Sequence, residues 1–484
     1  MIHTSRRKFL KGSLYGAASL AVPMSTWARP IGANDDIRIG FIGIGKDAKG
    51  RGSNHLSEFP RLKGCRAVAV CDADNAVLDI VKSKRQGEKT EYYQDFRKLL
   101  ENKDVDAVVI ATPNHTHTMI AIAAMQAGKH VYVEKPVSHN MWEGRMLAKH
   151  AAKHPELIVQ HGMQRRSDEG WLEIKDFVKG GAIGKPMVSR GFCYKLRDNI
   201  GKIGSAVPAP ASVDYNLWCG PREMEPVHRK SFHYDWHWQW PYGNGDIGNQ
   251  GPHQTDVARW LIDDPATMPA SVISVGGRFG YDDDATTANT QIAFYDFKPV
   301  PVIFEVRGLP DADMNFKGRH PKYRNVVEVG NCLECEGGYV TDGKAWDNNG
   351  KSIQSFKKND GAGHQQTFLD SIRSGKQAPT HTAETGHLSA AIAHMANHSY
   401  RLGKEMSSGE VKEKLQGNKM FAETYDRMLE HLTKNKIDVA STKVTLGPML
   451  TIDPATEKYI GEFAAEANKL NMESYRKEFS LPEA

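Results

Sequence analysis

The chain has 484 residues, with 63 Lys and Arg against 58 Asp and Glu, for a formal net charge of +5. Arg6, Arg7, Lys8 and Lys11 precede Ala28 with no acid among them, so four of those five charges belong to one terminal segment. The near-neutral remainder argues against a nucleic-acid surface, the length suits two or three domains at ~100–200 residues each, and six cysteines in so long a chain exclude a disulfide scaffold.

The chain opens on Ser5-Arg-Arg-Lys-Phe-Leu-Lys11 and then an apolar run from Gly12 to Val22. That run is shorter than the ~20 apolar residues a membrane span needs, and it fits the h-region of a signal peptide. The adjacent arginines match the twin-arginine export pattern. Residues 1–33 are therefore read as a twin-arginine signal peptide, with cleavage after Ala28 or after Ala33, and the protein as periplasmic. The Tat export machinery is the implied partner. No later segment reads as a membrane span.

Residues 34–160 alternate strand and helix. Ile37–Ile42 is short, β-branched and followed at once by glycines, which reads as a buried parallel strand. Gly43, Ile44 and Gly45 form the turn, and Gly50 or Gly52 serves as the third glycine, because Ala48 stands where the strict G-x-G-x-x-G pattern puts it. Such a turn brings backbone N–H groups and a helix N-terminus against a pyrophosphate. A second strand, Arg66–Cys71, ends in Asp72, an acid placed to bind ribose hydroxyls and to repel a 2′-phosphate. NAD is expected over NADP. Further strands are expected at Val105–Ala111, His130–Val133 and Leu157–Val159, with helices ending near Leu100 and spanning Thr118–Ala127. This alternation predicts a doubly wound parallel sheet whose ligand lies at the strands' carboxyl ends. Those ends carry Asp72, Thr112-Pro113-Asn114, Glu134-Lys135-Pro136 and Gln160–Gln164.

Later segments are less regular. Phe232 to Tyr242 is an aromatic run that holds Trp236 and Trp238, suited to stacking on sugar faces or to packing as a buried strand face. His233, Asp235 and His237 lie within it without a further ligand at suitable spacing, so no metal is expected. Cys332-Leu-Glu-Cys335 is a lone pair and reads as chance. Residues 308–324 read as a polar loop. Residues 407–484 read as a mostly helical extension that covers the first domain or makes an oligomer contact, and a homo-oligomer is expected.

The stretches ATPNHTH, GKHVYVEKP, HGMQRRS, GNGDIGNQGPHQTDVARW and AETGHLSAAIAHMANHSYRLG together resemble the glucose–fructose oxidoreductase/inositol dehydrogenase (Gfo/Idh/MocA) family, over roughly Asp36 to Lys404. The resemblance implies a Rossmann domain, then an α+β domain (161–406) with a large, mostly antiparallel open sheet and substrate held between the two. It implies an oxidoreductase of sugars or polyols. Cofactor contacts would be Gly43, Ile44, Gly45, Asp72, Thr112, Pro113, Asn114, His117, Glu134, Lys135 and Gln164. Lys135 matches the family's active-site lysine and His253 its motif histidine. Asn249 stands where many members have an aspartate, and an amide cannot take a proton, so His253, with Lys135, is left as the base. Asp256, one helical turn on, is a candidate to orient a partner. Candidate substrate contacts are Lys135, Arg165, Tyr194, Trp236, Trp238, Asn249 and His253.

The twin-arginine route carries folded cargo, which fits a protein loaded with its nucleotide before export. Recycling of that nucleotide in place suits oxidoreduction at a secondary carbinol of a sugar or glycoside. It also suits a redox-neutral glycosidase that oxidises C3 transiently and eliminates. A non-catalytic sugar binder is the remaining reading, kept open by Asn249.

Overall fold

The structure is a computed structural model that describes residues 36–45, 47, 49–310 and 320–483. The signal-peptide reading of 1–33 and part of the 308–324 loop lie outside those residues. Among the described residues the first sheet has six parallel strands: β1 (Ile37–Ile42), β2 (Cys65–Cys71), β3 (Glu91–Tyr93), β4 (Ala107–Ile110), β5 (His130–Val133) and β6 (Val159–His161). Their order is β3-β2-β1-β4-β5-β6, with every pairing parallel. The order reverses between β1 and β4, which opens a crevice at the carboxyl ends of those strands. Every residue of β1, β4 and β5 is buried, as continuous apolar strands covered on both faces must be.

The second sheet follows, with β7 (Pro186–Cys193), β8 (Ser271–Gly277), β9 (Thr290–Tyr295), β10 (Val302–Arg307), β11 (Val329–Cys335), β12 (Gly338–Thr341), β13 (Lys344–Asp347), β14 (Ser352–Ser355), β15 (Lys404–Ser407), β16 (Lys443–Leu446), β17 (Leu450–Asp453) and β18 (Lys458–Ile460). The main path runs β14-β13-β12-β11-β7-β10-β9-β8-β16-β15, and β17 joins β8. All pairs are antiparallel except β7 with β10. The expected α/β fold, a doubly wound parallel sheet and then a large mostly antiparallel one, is the fold found.

Two features depart from the reading of the chain. Residues 407–484 are not simply helical, because β16, β17 and β18 lie there and extend the second sheet. Short β-branched runs such as Lys443–Leu446 find partners only once the sheet exists, so local pattern undersold them. Helix Lys419–Lys434 packs Phe421, Tyr425, Met428 and Leu432 against the sheet residues Val275 and Ile292. The second departure concerns helix His364–Ser374, within the segment read as the substrate domain. It buries Phe368, Leu369 and Ile372 among Ile37, Ile39 and Phe41 of the first domain.

Cys332 and Cys335 lie on β11, three residues apart, and so face opposite sides of the sheet. They belong to separate apolar clusters, and all six cysteines are free and buried. Asp256 does not orient a catalytic partner. It is fully buried on helix Gly251–Leu261, where both oxygens take Arg166 Nε (3.0 and 2.9 Å) and Oδ1 takes Arg166 Nη2 (2.7 Å). Ser389 Oγ donates a fourth bond at 2.5 Å. Arg166 also pairs with Asp264. This network pins the helix that carries His253 to the turn that follows β6.

Breaking one side of a fully buried ion pair strands the other charge. Asp256→Asn is therefore expected to lower the stability of the protein by about 3–5 kcal/mol, read as a shifted denaturant midpoint. An unshifted midpoint would show the pair to be dispensable.

Candidate functional site

A cleft of about 700 Å³ runs along the carboxyl edge of the first sheet and is roofed by the second domain. Its floor is the glycine turn. Gly43 (φ +83°) and Gly45 (φ +97°) adopt a backbone that favours glycine. A Cβ on Gly43 would stand 2.6 Å from Thr112 N, and one on Gly45 would stand 2.6 Å from Lys49 O. Gly52 is the third glycine. It sits in the first turn of helix Arg51–Glu58, where a Cβ would lie 1.8 Å from Gly43 O. The loop is longer than the strict pattern, yet helix and strand still meet backbone to backbone.

Asp72 Oδ2 accepts from Ile44 N (2.8 Å) and Gly45 N (3.3 Å), while Oδ1 accepts from Asp74 N (3.0 Å). Burial raises its pKa against those bonds. Asp72 thus shapes the glycine turn and still lines the cleft. Glu134 Oε1 accepts from Arg51 Nε and meets His55 Nε2, both at 2.8 Å, and Oε2 accepts from Lys135 N at 3.0 Å. Burial pushes its pKa up, but the His55 bond and the Arg51 and Lys135 charges outweigh that and hold it well below the usual carboxylate range. His117 lines the cleft, yet both ring nitrogens face carbonyl oxygens, Pro136 O and Thr112 O, at 2.7 Å. Its polar atoms position the Lys135-Pro136 turn and leave none for a ligand.

Lys135 is half-buried and its Nζ donates to Asn249 O at 2.6 Å. Burial draws its pKa down to about 8, opposed by Glu134 and Asp246. His253 shares the cleft; its Nδ1 is buried without a partner. Burial, then the charge of Lys135, keeps it neutral well below the ordinary histidine value. Asn114, whose Nδ2 donates to Asn244 Oδ1 at 2.6 Å, leaves its Oδ1 unpartnered, as Gln164 leaves its Oε1. Both line the cleft, as do Thr112, Pro113 and Trp236.

Three of the expected substrate contacts lie elsewhere. Tyr194, just past the end of β7, is buried in the cluster of Phe192 and Tyr323 and donates to Glu305 Oε2 at 3.0 Å, on the same side as Phe192 two residues before it. Trp238 packs under Arg197, 5.4 Å from guanidinium carbon to ring centre, and does not line the cleft. Arg165 is ion-paired to Asp342 at 2.9 Å, outside the cleft lining. The aromatic run is not a strand: Asp235–Trp238 is a 3₁₀ turn, so its rings do not alternate.

Sequence reasoning passed over several cleft residues. Arg51 and Lys49 flank the glycine turn, and His233, Tyr234 and His237 come from the aromatic run. His233 Nε2 meets Asp74 Oδ2 at 2.8 Å and ties the roof to the end of β2. The signal for Arg51 was its place between two glycines. For the histidines it was their spacing, which invited a metal reading. Among the described residues no group of His, Cys, Asp or Glu is arranged to hold a metal, and no helix among them is long and apolar enough to cross a membrane.

The residues present fit a dinucleotide. The glycine turn packs backbone to backbone as a dinucleotide fold requires, and Asn114 and Gln164, each with an unpartnered amide oxygen, line the same cleft. Comparison with known proteins agrees. Residues 37–162 match the description "Oxidoreductase family, NAD-binding Rossmann fold", and residues 170–318 match its "C-terminal alpha/beta domain". An inositol 2-dehydrogenase of Salmonella paratyphi B is 32% identical over 165 residues, 33% of this chain and 46% of that protein. A glycosyl hydrolase family 109 protein of Shewanella pealeana is 34% identical over 227 residues, 42% of this chain and 48% of that one. The chain thus spans about half the length of the curated relatives it matches. Among solved structures, scyllo-inositol dehydrogenase of Lactobacillus casei superposes with a TM-score of 0.53 at 20% identity, covering 75% of this chain and 96% of that one; at that identity the likeness is one of fold.

Gly52→Ala tests the cradle directly. The methyl must displace either the helix or the turn, so affinity for NAD is expected to fall at least about tenfold, the factor that 1.4 kcal/mol represents. Fluorescence titration with NADH would measure it, and unchanged affinity would place the nucleotide elsewhere.

Proposed function

Because the chain belongs to the Gfo/Idh/MocA oxidoreductase family, we propose that it uses tightly held NAD to oxidise a secondary carbinol of a sugar, glycoside or related polyol. The observation that carries this reading is the meeting of Lys135 and His253, each with an altered proton affinity, in the glycine-floored cleft. The glycine turn, Asp72, Asn114 and Gln164 would hold the nucleotide, which when bound supplies the hydride acceptor. NAD is favoured over NADP because the carboxylate of Asp72 lines the cleft at the end of β2, where it would repel a 2′-phosphate.

The protein's own part is positioning and proton handling. The Lys135 ammonium stabilises negative charge as it develops on the substrate oxygen. The neutral His253 imidazole accepts the hydroxyl proton. An imidazolium beside an ammonium is disfavoured, so the proton passes on to solvent. Asn249 contributes its backbone carbonyl, which holds Lys135 in place.

A second reading has a specific observation behind it, the similarity to family 109 glycosyl hydrolases. In that case hydride leaves and returns within one turnover, and the glycosidic bond breaks by elimination in between. Release of aglycone without net change in the nicotinamide absorbance distinguishes the two. The protein is also proposed to be exported to the periplasm through the Tat machinery and to assemble as a homo-oligomer. The Arg6-Arg7 segment supports export.

Lys135→Ala is expected to lower kcat by about 10²–10³-fold, as loss of one charge-stabilising donor does, with NAD still bound. The pH profile follows from the proton affinities. Lys135 acts protonated, so kcat/KM for oxidation is expected to fall as pH rises through about 8. His253 stays neutral well below 6.5, so no acid limb appears between pH 6.5 and 8. Lys135→Arg keeps the charge and is expected to remove the alkaline limb; a limb that survives would assign it to another group. For export, Arg6→Lys with Arg7→Lys is expected to retain the protein in the cytoplasm on cell fractionation. Equal periplasmic recovery would exclude the twin-arginine route.

A further inference from the structure

Besides Lys135 and His253, the cleft is lined by a histidine whose ring is held in one orientation. His237 lies in the Asp235–Trp238 turn and faces the cleft. Its Nδ1 is 2.6 Å from the carbonyl oxygen of Tyr234. A carbonyl only accepts, so Nδ1 carries the hydrogen. Burial, with the charges of Lys135 and Arg197, pushes the ring's pKa down to about 4, so near neutral pH Nε2 is bare. The ring also stacks on Trp236, with centroids 3.7 Å apart and planes at 20°. A flipped ring would lose the Tyr234 bond, so one tautomer and one orientation are fixed. Among the described residues no donor meets Nε2.

The position of this acceptor is informative. Arg197 links Lys135 and His237: it donates to Asp246, on the helix Gly245–Asn249 whose last carbonyl holds Lys135, and to the hydroxyl of Tyr234, whose carbonyl meets His237, so the two share one end of the cleft. His233 instead pairs with Asp74 at the end of β2. Asp246 and Arg197 pair with each other through two bonds of 2.7 Å, and Arg197 Nη1 also reaches the Tyr234 hydroxyl at 3.4 Å. That end therefore offers a ligand an ammonium donor and an oriented neutral acceptor, beside the Tyr234 hydroxyl and the Asn249 amide. In the proposed reaction His253 serves the reacting hydroxyl itself, and its Nδ1 has no partner to fix the tautomer.

We propose that His237 is a specificity-determining residue: its Nε2 accepts a hydrogen bond from the substrate hydroxyl next to the reacting carbon, while Lys135 holds the reacting oxygen. The inference rests on the oxidoreductase reading and narrows it to substrates with a free vicinal hydroxyl. A methyl ether or a missing hydroxyl there leaves the acceptor unpaired once the ligand covers it, which a site built for a hydroxyl rejects.

The test uses the full-length, NAD-loaded protein and its His237→Phe and His237→Gln variants. The probes are myo-inositol, scyllo-inositol and the methyl glucopyranosides, each with its monodeoxy analogues, and NADH absorbance reads the hydride transfer. In the parent, removal of the hydroxyl beside the oxidised carbon is expected to lower kcat/KM about 10–100-fold, the range for an unpaired buried polar group. His237→Phe keeps a stackable ring and is expected to bring that ratio to within about twofold of unity, with His237→Gln restoring part of it. If His237→Phe weakens both substrates equally and leaves the ratio intact, the residue is merely structural and the proposal falls. If NADH binds but no probe reduces NAD in the parent, the oxidoreductase reading itself fails, and this inference with it.

Discussion

Where helix Arg51–Glu58 begins, the hydrogen of Gly52 faces the carbonyl of Gly43 across a gap in which a Cβ would sit 1.8 Å from the oxygen. That contact sets how close the first helix comes to the first strand, and most of the cleft follows from it. With the helix held in, Arg51 and His55 reach Glu134 at the end of β5. Glu134 in turn accepts from the backbone N–H of Lys135. A backbone contact at one end of the crevice is thereby relayed through a buried carboxylate to the lysine at the other.

The charges around that lysine show why it differs from its neighbours. Arg197 is taken by Asp246, Arg165 by Asp342 and Arg51 by Glu134, each within hydrogen-bond distance. Lys135 alone in this group donates its Nζ to a neutral carbonyl. An ammonium bonded to a dipole rather than to an anion loses its proton more readily once buried. The same low-polarity cleft keeps His253 and His237 neutral. Around Lys135 the cleft thus joins a cation of moderate acidity to two uncharged rings.

The fold was legible because its signals are local. An apolar run, a glycine turn and an acid at the end of the next strand follow one another within forty residues, and β1, β2 and β5 lie where the pattern put them. The site was legible only in part. Asp72, Asn114, Glu134, Lys135, Gln164, Asn249 and His253 meet in one cleft, since strand ends and motif turns are read from neighbours in sequence. Asp256, Arg165 and Tyr194 were misplaced because their partners, Arg166, Asp342 and Glu305, are 90, 177 and 111 residues away. No local pattern announces which of several acids a buried arginine will choose. The strand reading of the aromatic run failed for a related reason. Alternating rings suggest period two, yet Asp235 accepts from Ser231 N (2.8 Å) and draws the run into a turn.

The end of the chain shows how far the cleft depends on distant residues. Phe479 is buried within the apolar cluster of the first domain. Three residues earlier, Arg476 donates to Gly220 O (2.9 Å) and Asn216 O (2.7 Å). Those carbonyls bracket Leu217 and Trp218, which line the cleft opposite the glycine turn. Tyr475 and Arg222 then meet Glu143 on a helix of the first domain. The tail is thus fastened at one end to the nucleotide-binding domain and at the other to the roof above it. The His233–Asp74 contact adds a second tie between roof and first domain. The roof is therefore held to the first domain by several separate bonds rather than by one loop.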